Sequence, residues 1–272
     1  IQARLIMLLD FDKLGAVKWI LVAITSATVL FLILPIIFIV ALSFGSSRWL
    51  IFPPPGWTLD WYRELAADPS WISATLTSLQ IAVLVTILSV VLGFLASIGL
   101  TRMQFRGKEI LRAFFLTPMI LPVVVLAVAL YALFLRVGLG GTVVAFVLAH
   151  LVIALPFAII SIGTSMDGFD WSIEDAAILC GASPWVARWK VTVPAVKDGI
   201  FGAAVFSFLA SWDEVVLAIF MSSPTLQTLP VKIWTTLRQD LTPVIAAVST
   251  LLLALTIVLM MSAFYLNRGR KA

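Results

Sequence analysis

Asp213 and Glu214 stand side by side in a stretch, 199–221, that is otherwise almost wholly apolar. An acid at the centre of a lipid-embedded helix costs about 2.5–3.5 kcal/mol on insertion scales, so such a pair persists only facing protein or a water-filled path. Ala203, Ser207 and Ser211 recur every four residues, a small-residue face suited to close helix packing. On one continuous helix Glu214 falls on that face, seven residues after Ser207, and Asp213 is turned about 100° from it. Asp213 is therefore expected to line the route of a cationic solute, and Glu214 to order a helix–helix or subunit contact. The alternative, that both acids are structural and hydrogen-bonded to neighbours, stays open. Trp212, Trp234 and Tyr131 have ring faces on which a cation can stack, although packing is the commoner role of a membrane aromatic.

A second group lies upstream: Glu174-Asp175-Ala176-Ala177-Ile178-Leu179-Cys180-Gly181-Ala182-Ser183, continuing through Trp185, Arg188 and Trp189 to Val193-Pro194. Residues 173–180 read as a short helix with its acids in the first turn, where the helix dipole favours them. Gly181 ends it. Ser183-Pro184 reads as the N-cap and first position of a second short helix carrying Trp185, Val186 and Trp189 with Arg188 and Lys190. Two short helices at a sharp angle make a compact knob that a partner protein can grip. The bland alternative is an ordinary amphipathic connector.

Other chemistry is thin. Cys180 is the single cysteine and His150 the single histidine, so the sequence offers no disulfide framework, no CxxC site and no metal centre. His150 is expected to be a hydrogen-bonded packing residue and Cys180 a small helix residue. No G-x-x-x-x-G-K-[ST] phosphate loop occurs, since Gly107-Lys108 lacks the upstream glycine. The chain is thus read as carrying no catalytic residues and no cofactor of its own.

The elements that must position these residues follow from composition. Of 272 residues, 62% are hydrophobic and 12% charged, and the mean hydropathy is +1.12, against roughly a quarter charged in soluble domains. Six apolar runs of spanning length are visible, 17–44, 74–100, 110–135, 142–164, 199–221 and 244–266, each near or above the roughly 20 residues a crossing needs. No alternating pattern appears, so the predicted fold is all-α, a polytopic membrane protein of six transmembrane helices in one domain spanning 1–272, with an N-terminal cytoplasmic segment 1–16. The first run is too long for a signal-peptide core and is read as a retained span. With both termini inside, thirteen of the eighteen Lys and Arg residues fall on the cytoplasmic side, among them Arg102, Arg106, Lys108, Arg112, Arg188 and Lys190. The segment of about 166–198 is then cytoplasmic. The outer segment 45–71 carries the turn run Pro53-Pro54-Pro55-Gly56 and five aromatics, Trp49, Trp57, Trp61, Tyr62 and Trp71, expected to form an interfacial belt. Pro35, Pro118, Pro122 and Pro156 are expected to bend their spans, either as fixed packing bends or as hinges.

The 174–194 stretch resembles the EAA loop of ABC-importer permeases, in which E-A-A, three residues and a glycine are followed about a dozen residues later by a hydrophobic residue and proline. The match falls on Asp175, Ala176, Ala177, Gly181 and Pro194, with Asp175 at the family's glutamate position and Glu174 preceding it. Phe52-Pro53, Thr58–Tyr62, Thr77-Ser78-Leu79, Pro118–Pro122, Ser211–Val216, Leu229–Trp234 and Pro243–Thr250 look like the polyamine branch of that family, the spermidine and putrescine permeases, with Thr77 in place of the usual asparagine. The resemblance implies the type I ABC-importer permease fold in a bacterial inner membrane. It implies ATPase coupling through Glu174, Asp175, Ala176, Ala177, Gly181, Ala182, Ser183 and Pro194. It implies a second permease, two cytoplasmic ATPase subunits that bind ATP and Mg, and a periplasmic solute-binding protein that delivers a small cationic solute. An ABC permease for an opine, amino-acid-like or anionic solute is the nearest alternative. An ion-coupled secondary transporter is a further one, but it would show an internal repeat and has no use for a coupling loop.

Overall fold

The computed structural model describes residues 15–239 and 242–268, so Arg4, Lys13, Arg270 and Lys271, expected on the cytoplasmic side, lie outside the described residues. Along the chain the helices are α1 (Ala16–Ser43), α2 (Asp60–Ala67), α3 (Pro69–Arg102), α4 (Lys108–Leu116), α5 (Val123–Arg136), α6 (Val143–Asp167), α7 (Ser172–Leu179), α8 (Pro184–Ala187), α9 (Val193–Ala195), α10 (Lys197–Trp212), α11 (Val216–Met221), α12 (Leu229–Gln239) and α13 (Pro243–Arg268). A 3₁₀ turn (Thr117–Met119) follows α4, and a π-helical turn (Arg188–Thr192) joins α8 to α9. No strand occurs among the described residues, only isolated bridges such as Gly45–Trp57. The all-α expectation holds.

Two compact units arise, one comprising the chain up to Asp68 together with Thr236 onward, the other Pro69–Thr235. In the first, α13 packs on α1 and on α2. Most of α1 is an apolar surface, with Trp19, Phe31 and Leu32 strongly exposed, as suits a helix whose solvent is lipid. Its end is tied to α2 through side chains: the Trp61 indole N–H donates to the Gly45 carbonyl at 2.6 Å, and the Ser43 and Tyr62 hydroxyls share a 2.7 Å hydrogen bond. The aromatic-belt expectation therefore needs correction. Trp49 and Trp57 are exposed, but Trp61 packs inward, because α2 is amphipathic and buries that face.

The second unit is organised by α3, α6 and α10, which pack pairwise. Gly93 meets Ala158, Ser97 donates to the Ile159 carbonyl at 3.2 Å, and Thr101 approaches Met166, so α3 and α6 run parallel. Ser161 donates to the Gly199 carbonyl at 2.9 Å, and Ser207 sits against Ala154, so α10 runs antiparallel to α6. Those directions match spans two, four and five of an alternating topology. Small residues at the crossings let the backbones approach: a Cβ on Gly93 would lie 2.7 Å from the Ala158 Cβ. The core above and below is apolar, with Ile81, Val85, Phe146 and Ala218 in one cluster and Ile98, Ile162, Met166 and Ala203 in the other. Trp71, the remaining member of the expected belt, is buried here beneath the Lys232 ammonium, 5.4 Å from its ring centre.

Two of the six runs are interrupted, the third at the prolines expected to bend it and the fifth where no break is expected. Pro35 and Pro156 are absorbed within α1 and α6, whereas between Pro118 and Pro122 the chain bends by 99°, separating α4 from α5. Prolines four apart remove two ladder donors within one turn, and the missing bonds cannot be bridged as one can. The fifth run is interrupted at 213–215, dividing α10 from α11. Among the described residues three helices are long and apolar enough to cross a bilayer alone, up to five if Lys108–Met119 with Val123–Arg136 and Pro184–Ala195 with Lys197–Trp212 each count as one span, and α13 adds a further apolar run. Every one of the six expected stretches falls on apolar helix.

Candidate functional site

The loop between α6 and α10 is built as a glycine-broken helix pair. Asp170 opens it: Ser172 N–H donates to Asp170 Oδ1 at 3.0 Å, and hydrogen bonds from the Ser172 side chain and amide hold this exposed carboxyl below the ordinary carboxylate range. That small contribution is present above the usual carboxylate pKa and is lost as pH falls through the lowered one. α7 then ends in a Schellman motif, with Gly181 N–H donating to the Ile178 carbonyl at 2.9 Å and Ala182 N–H to the Ala177 carbonyl at 3.1 Å. Gly181 sits at φ +97°, open to glycine and costly for any side chain. Ser183 caps α8, accepting from Val186 N–H at 3.4 Å, and Pro184 occupies the first helical position. Before Pro194, which has no N–H to continue the ladder, the backbone widens into the π-helical turn, a feature nothing in the sequence pattern signals. Gly181→Val is expected to cost roughly 1–2 kcal/mol for the left-handed conformation and to re-aim α8. Loss of the helix-pair geometry without unfolding of the spans, read by protease sensitivity of the loop in detergent, is the result to look for.

The two acids of the first turn have different environments. Glu174 is fully buried; Arg102, the last residue of α3, donates to it, as does the Thr192 hydroxyl, and Arg188 Nε lies 3.8 Å away. Asp175 is largely exposed, and the second terminal nitrogen of the same Arg102 binds it. The Arg102 guanidinium also lies over the Trp171 ring, 5.2 Å from its centre, and Phe169 braces that ring edge-on. Arg102 and the burial of Glu174 are not anticipated from sequence; an arginine closing one long span and a pair of acids 72 positions on are the only traces the sequence carries of the contact.

On the outer surface of this clamp the side chains are apolar and exposed. Leu179 is 88% exposed, Trp185 60% and Trp189 56%, with the two indoles edge to face at 5.9 Å. Ala176, Ser183 and Pro194 are exposed, Ala177 and Ala182 half-buried. Cys180, closing α7, is exposed.

The acid pair of the fifth run sits at a helix break. α10 stops at Trp212, Asp213 is its C-cap, and Glu214, one residue before the Val215 N-cap of α11, accepts at Oε1 from Leu217 N–H in the first turn at 2.8 Å. The expectation that Glu214 continues the Ala203–Ser207–Ser211 face is therefore incorrect: those three residues are buried as predicted, but the helical periodicity ends before it reaches 214. Asp213 is exposed and Glu214 half-buried. One turn earlier, Ser211 Oγ and His150 Nδ1 are 2.9 Å apart, which bears out His150 as a buried packing residue. Trp212 stacks on Phe208 at 5.6 Å, and Tyr131 meets Phe220 of α11 at 6.1 Å. Trp234 is partly exposed on α12. Ser78, in the third turn of α3, accepts from Leu229 N–H at 2.8 Å and so caps α12, a contact spanning 151 positions that sequence reading misses.

Comparison with known proteins places this geometry. Residues 89–271 match the family described as binding-protein-dependent transport system inner membrane component. The chain is 30% identical over 240 residues to the spermidine/putrescine transport system permease protein PotC of Escherichia coli K12, covering 88% of this chain and 90% of the relative. It is 30% identical over 243 residues to the putrescine transport system permease protein PotI of the same organism, covering 87% and 86%. In fold it is similar to a chain in the crystal structure of a bacterial ABC transporter involved in the import of the acidic polysaccharide alginate, with a TM-score of 0.71, 15% identity, and 94% and 96% of the two chains covered. An all-α chain with these apolar spans, matched by the family model over most of its length, is a multi-pass membrane protein that belongs to the inner-membrane permease components of binding-protein-dependent transport systems.

Proposed function

We propose that this chain forms half of the translocation path of an ATP-driven importer and couples to a separate ATPase through the knob formed by α7 and α8. The observation that carries the reading is the pairing of an exposed apolar surface, Leu179, Trp185 and Trp189, with a buried ionic anchor, Glu174 on Arg102, at one end of the three-helix core. Exposed indoles on a rigid element are the anchors protein interfaces favour. Glu174 is the internal member of the acid pair, and Asp175, with Ala176, Ala177, Gly181, Ala182 and Ser183, forms the surface an ATPase subunit meets. Pro194 and the π-helical turn join that surface to α10. Both termini are cytoplasmic in this reading, and a second permease, two ATPase subunits and a periplasmic binding protein complete the assembly. ATP and Mg belong to the ATPase partners.

The solute proposed is a small cation of the polyamine class. PotC and PotI are named for spermidine and putrescine transport, while a structural neighbour serves an acidic polysaccharide, so the fold is compatible with either sign of charge and the decision falls to path residues. Asp213, exposed at the break between α10 and α11, is the acid placed to attract a cation, with Trp212 and Tyr131 close to the same break and Glu214 holding the turn. Asp213→Asn in the full transporter, reconstituted in proteoliposomes, is expected to lower polyamine uptake roughly tenfold, a loss of about 1.4 kcal/mol of interaction. Unchanged uptake by a normally assembled variant would remove the cation-path role. ATP-dependence is tested in the same vesicles: uptake that survives ATP removal and disappears with a protonophore would overturn the importer reading itself.

A further inference from the structure

We infer that Arg102 is a positioning residue of the coupling step, a clamp that makes the inner end of α3 and the α7–α8 knob move as one body. The inference rests on the knob being the ATPase contact. The geometry points to it in three ways. Arg102 is the last residue of α3, and its two terminal nitrogens are divided between Glu174 and Asp175, consecutive residues on a different element. Its planar fork thus holds α7 in both position and rotation, which a single-point contact cannot do. Glu174 is fully buried and also accepts from Thr192 in the π-helical turn, so one carboxylate ties α3, α7 and the run into α10 together. The guanidinium is seated on Trp171, whose ring is held by Phe169, so the clamp is fixed from the α6 side as well.

The consequence is a specific route for motion. A loop attached only through its two covalent ends would pass a push into α6 and α10. With Arg102 in place the same push also reaches α3, the remaining member of the three-helix core, whose own nearest covalent link to the loop is 65 or more residues long. Asp175, exposed and half of the clamp, is the member that a docking ATPase can reach without disturbing Glu174.

The test uses the complete transporter, with permease pair, ATPase subunits and binding protein, in proteoliposomes. Arg102→Ala is expected to keep ATP hydrolysis while lowering solute moved per ATP roughly tenfold, and Arg102→Lys, which restores the charge as a single point, is expected to recover only part of that ratio. An assembled Arg102→Ala transporter with the normal ratio would overturn the clamp. Should Arg102→Ala fail to assemble, spin labels on Gln104→Cys and Ala182→Cys in a Cys180→Ser chain that keeps Arg102 decide: a distance that stays fixed between ATP-bound and nucleotide-free states supports one rigid body, and a distance that changes overturns it. A Trp185→Cys cross-link to the ATPase, made in a Cys180→Ser chain that keeps Arg102, separates the two levels, since its absence would fail the docking reading, whereas its presence with a changing label distance would fail the clamp alone.

Discussion

Glu174→Ala is expected to be the most damaging single substitution in the loop, lowering stability by about 3–5 kcal/mol and abolishing ATP-dependent uptake. The reason is asymmetry. Replacing both members of a buried ion pair with well-packed apolar groups can be neutral, but removing the carboxylate alone leaves a partly buried guanidinium and the Thr192 hydroxyl facing a cavity. Arg102 retains only Asp175, and Arg188, already 3.8 Å from the lost oxygen, adds a second uncompensated cation. Asp175→Ala removes a contact to the same guanidinium, yet that carboxylate is more than half exposed, so the stability cost is about 0–1 kcal/mol. The two variants should therefore separate in thermal unfolding of the detergent-solubilised protein. Equal midpoints would show that the difference in burial does not govern the anchor.

Gly199→Val is expected to be the most damaging substitution within the spans. A Cβ at this position would lie 2.8 Å from the Ser161 carbonyl oxygen and against Ser165, and the obstructing oxygen belongs to helix backbone that cannot rotate away. The helices must part, at about 1–3 kcal/mol or more for overpacking. Ser161→Ala removes the hydrogen bond at the same crossing, for which membrane interiors give about 0.6 kcal/mol on average. Steric closeness thus outweighs the hydrogen bond at this crossing, and the order Gly199→Val much worse than Ser161→Ala in folded yield checks it. The reverse order would mean that α6 and α10 have room to separate.

The features legible in the sequence are those written locally. Spans followed from apolar runs, the end of α7 from Gly181, and the start of α8 from Ser183-Pro184, because each depends on a few consecutive residues and on the missing Cβ or N–H of one of them. The bend between Pro118 and Pro122 is announced by its prolines, but the break at 213–215 is hidden because an apolar run looks the same whether its helix is continuous or interrupted; hydropathy measures the solvent, not the hydrogen-bond ladder. Glu214 shows the effect on the site, since its expected helical angle assumes a helix that stops two residues before it. Arg102 and Ser78 were hidden for a different reason. Each makes a contact across more than seventy positions, and a lone arginine closing a helix or a serine within one has several ordinary roles that only the packed structure tells apart.

Ser78 also limits how the molecule can be taken apart. The first amide of α12 borrows its acceptor from the third turn of α3, so the stretch from the end of α11 through α12 is no interchangeable cassette. A chimera that imports this stretch from a relative receives a helix whose leading N–H needs a hydroxyl that the donor segment does not contain; transplantation requires two cuts, one on each side of a polypeptide 151 residues long.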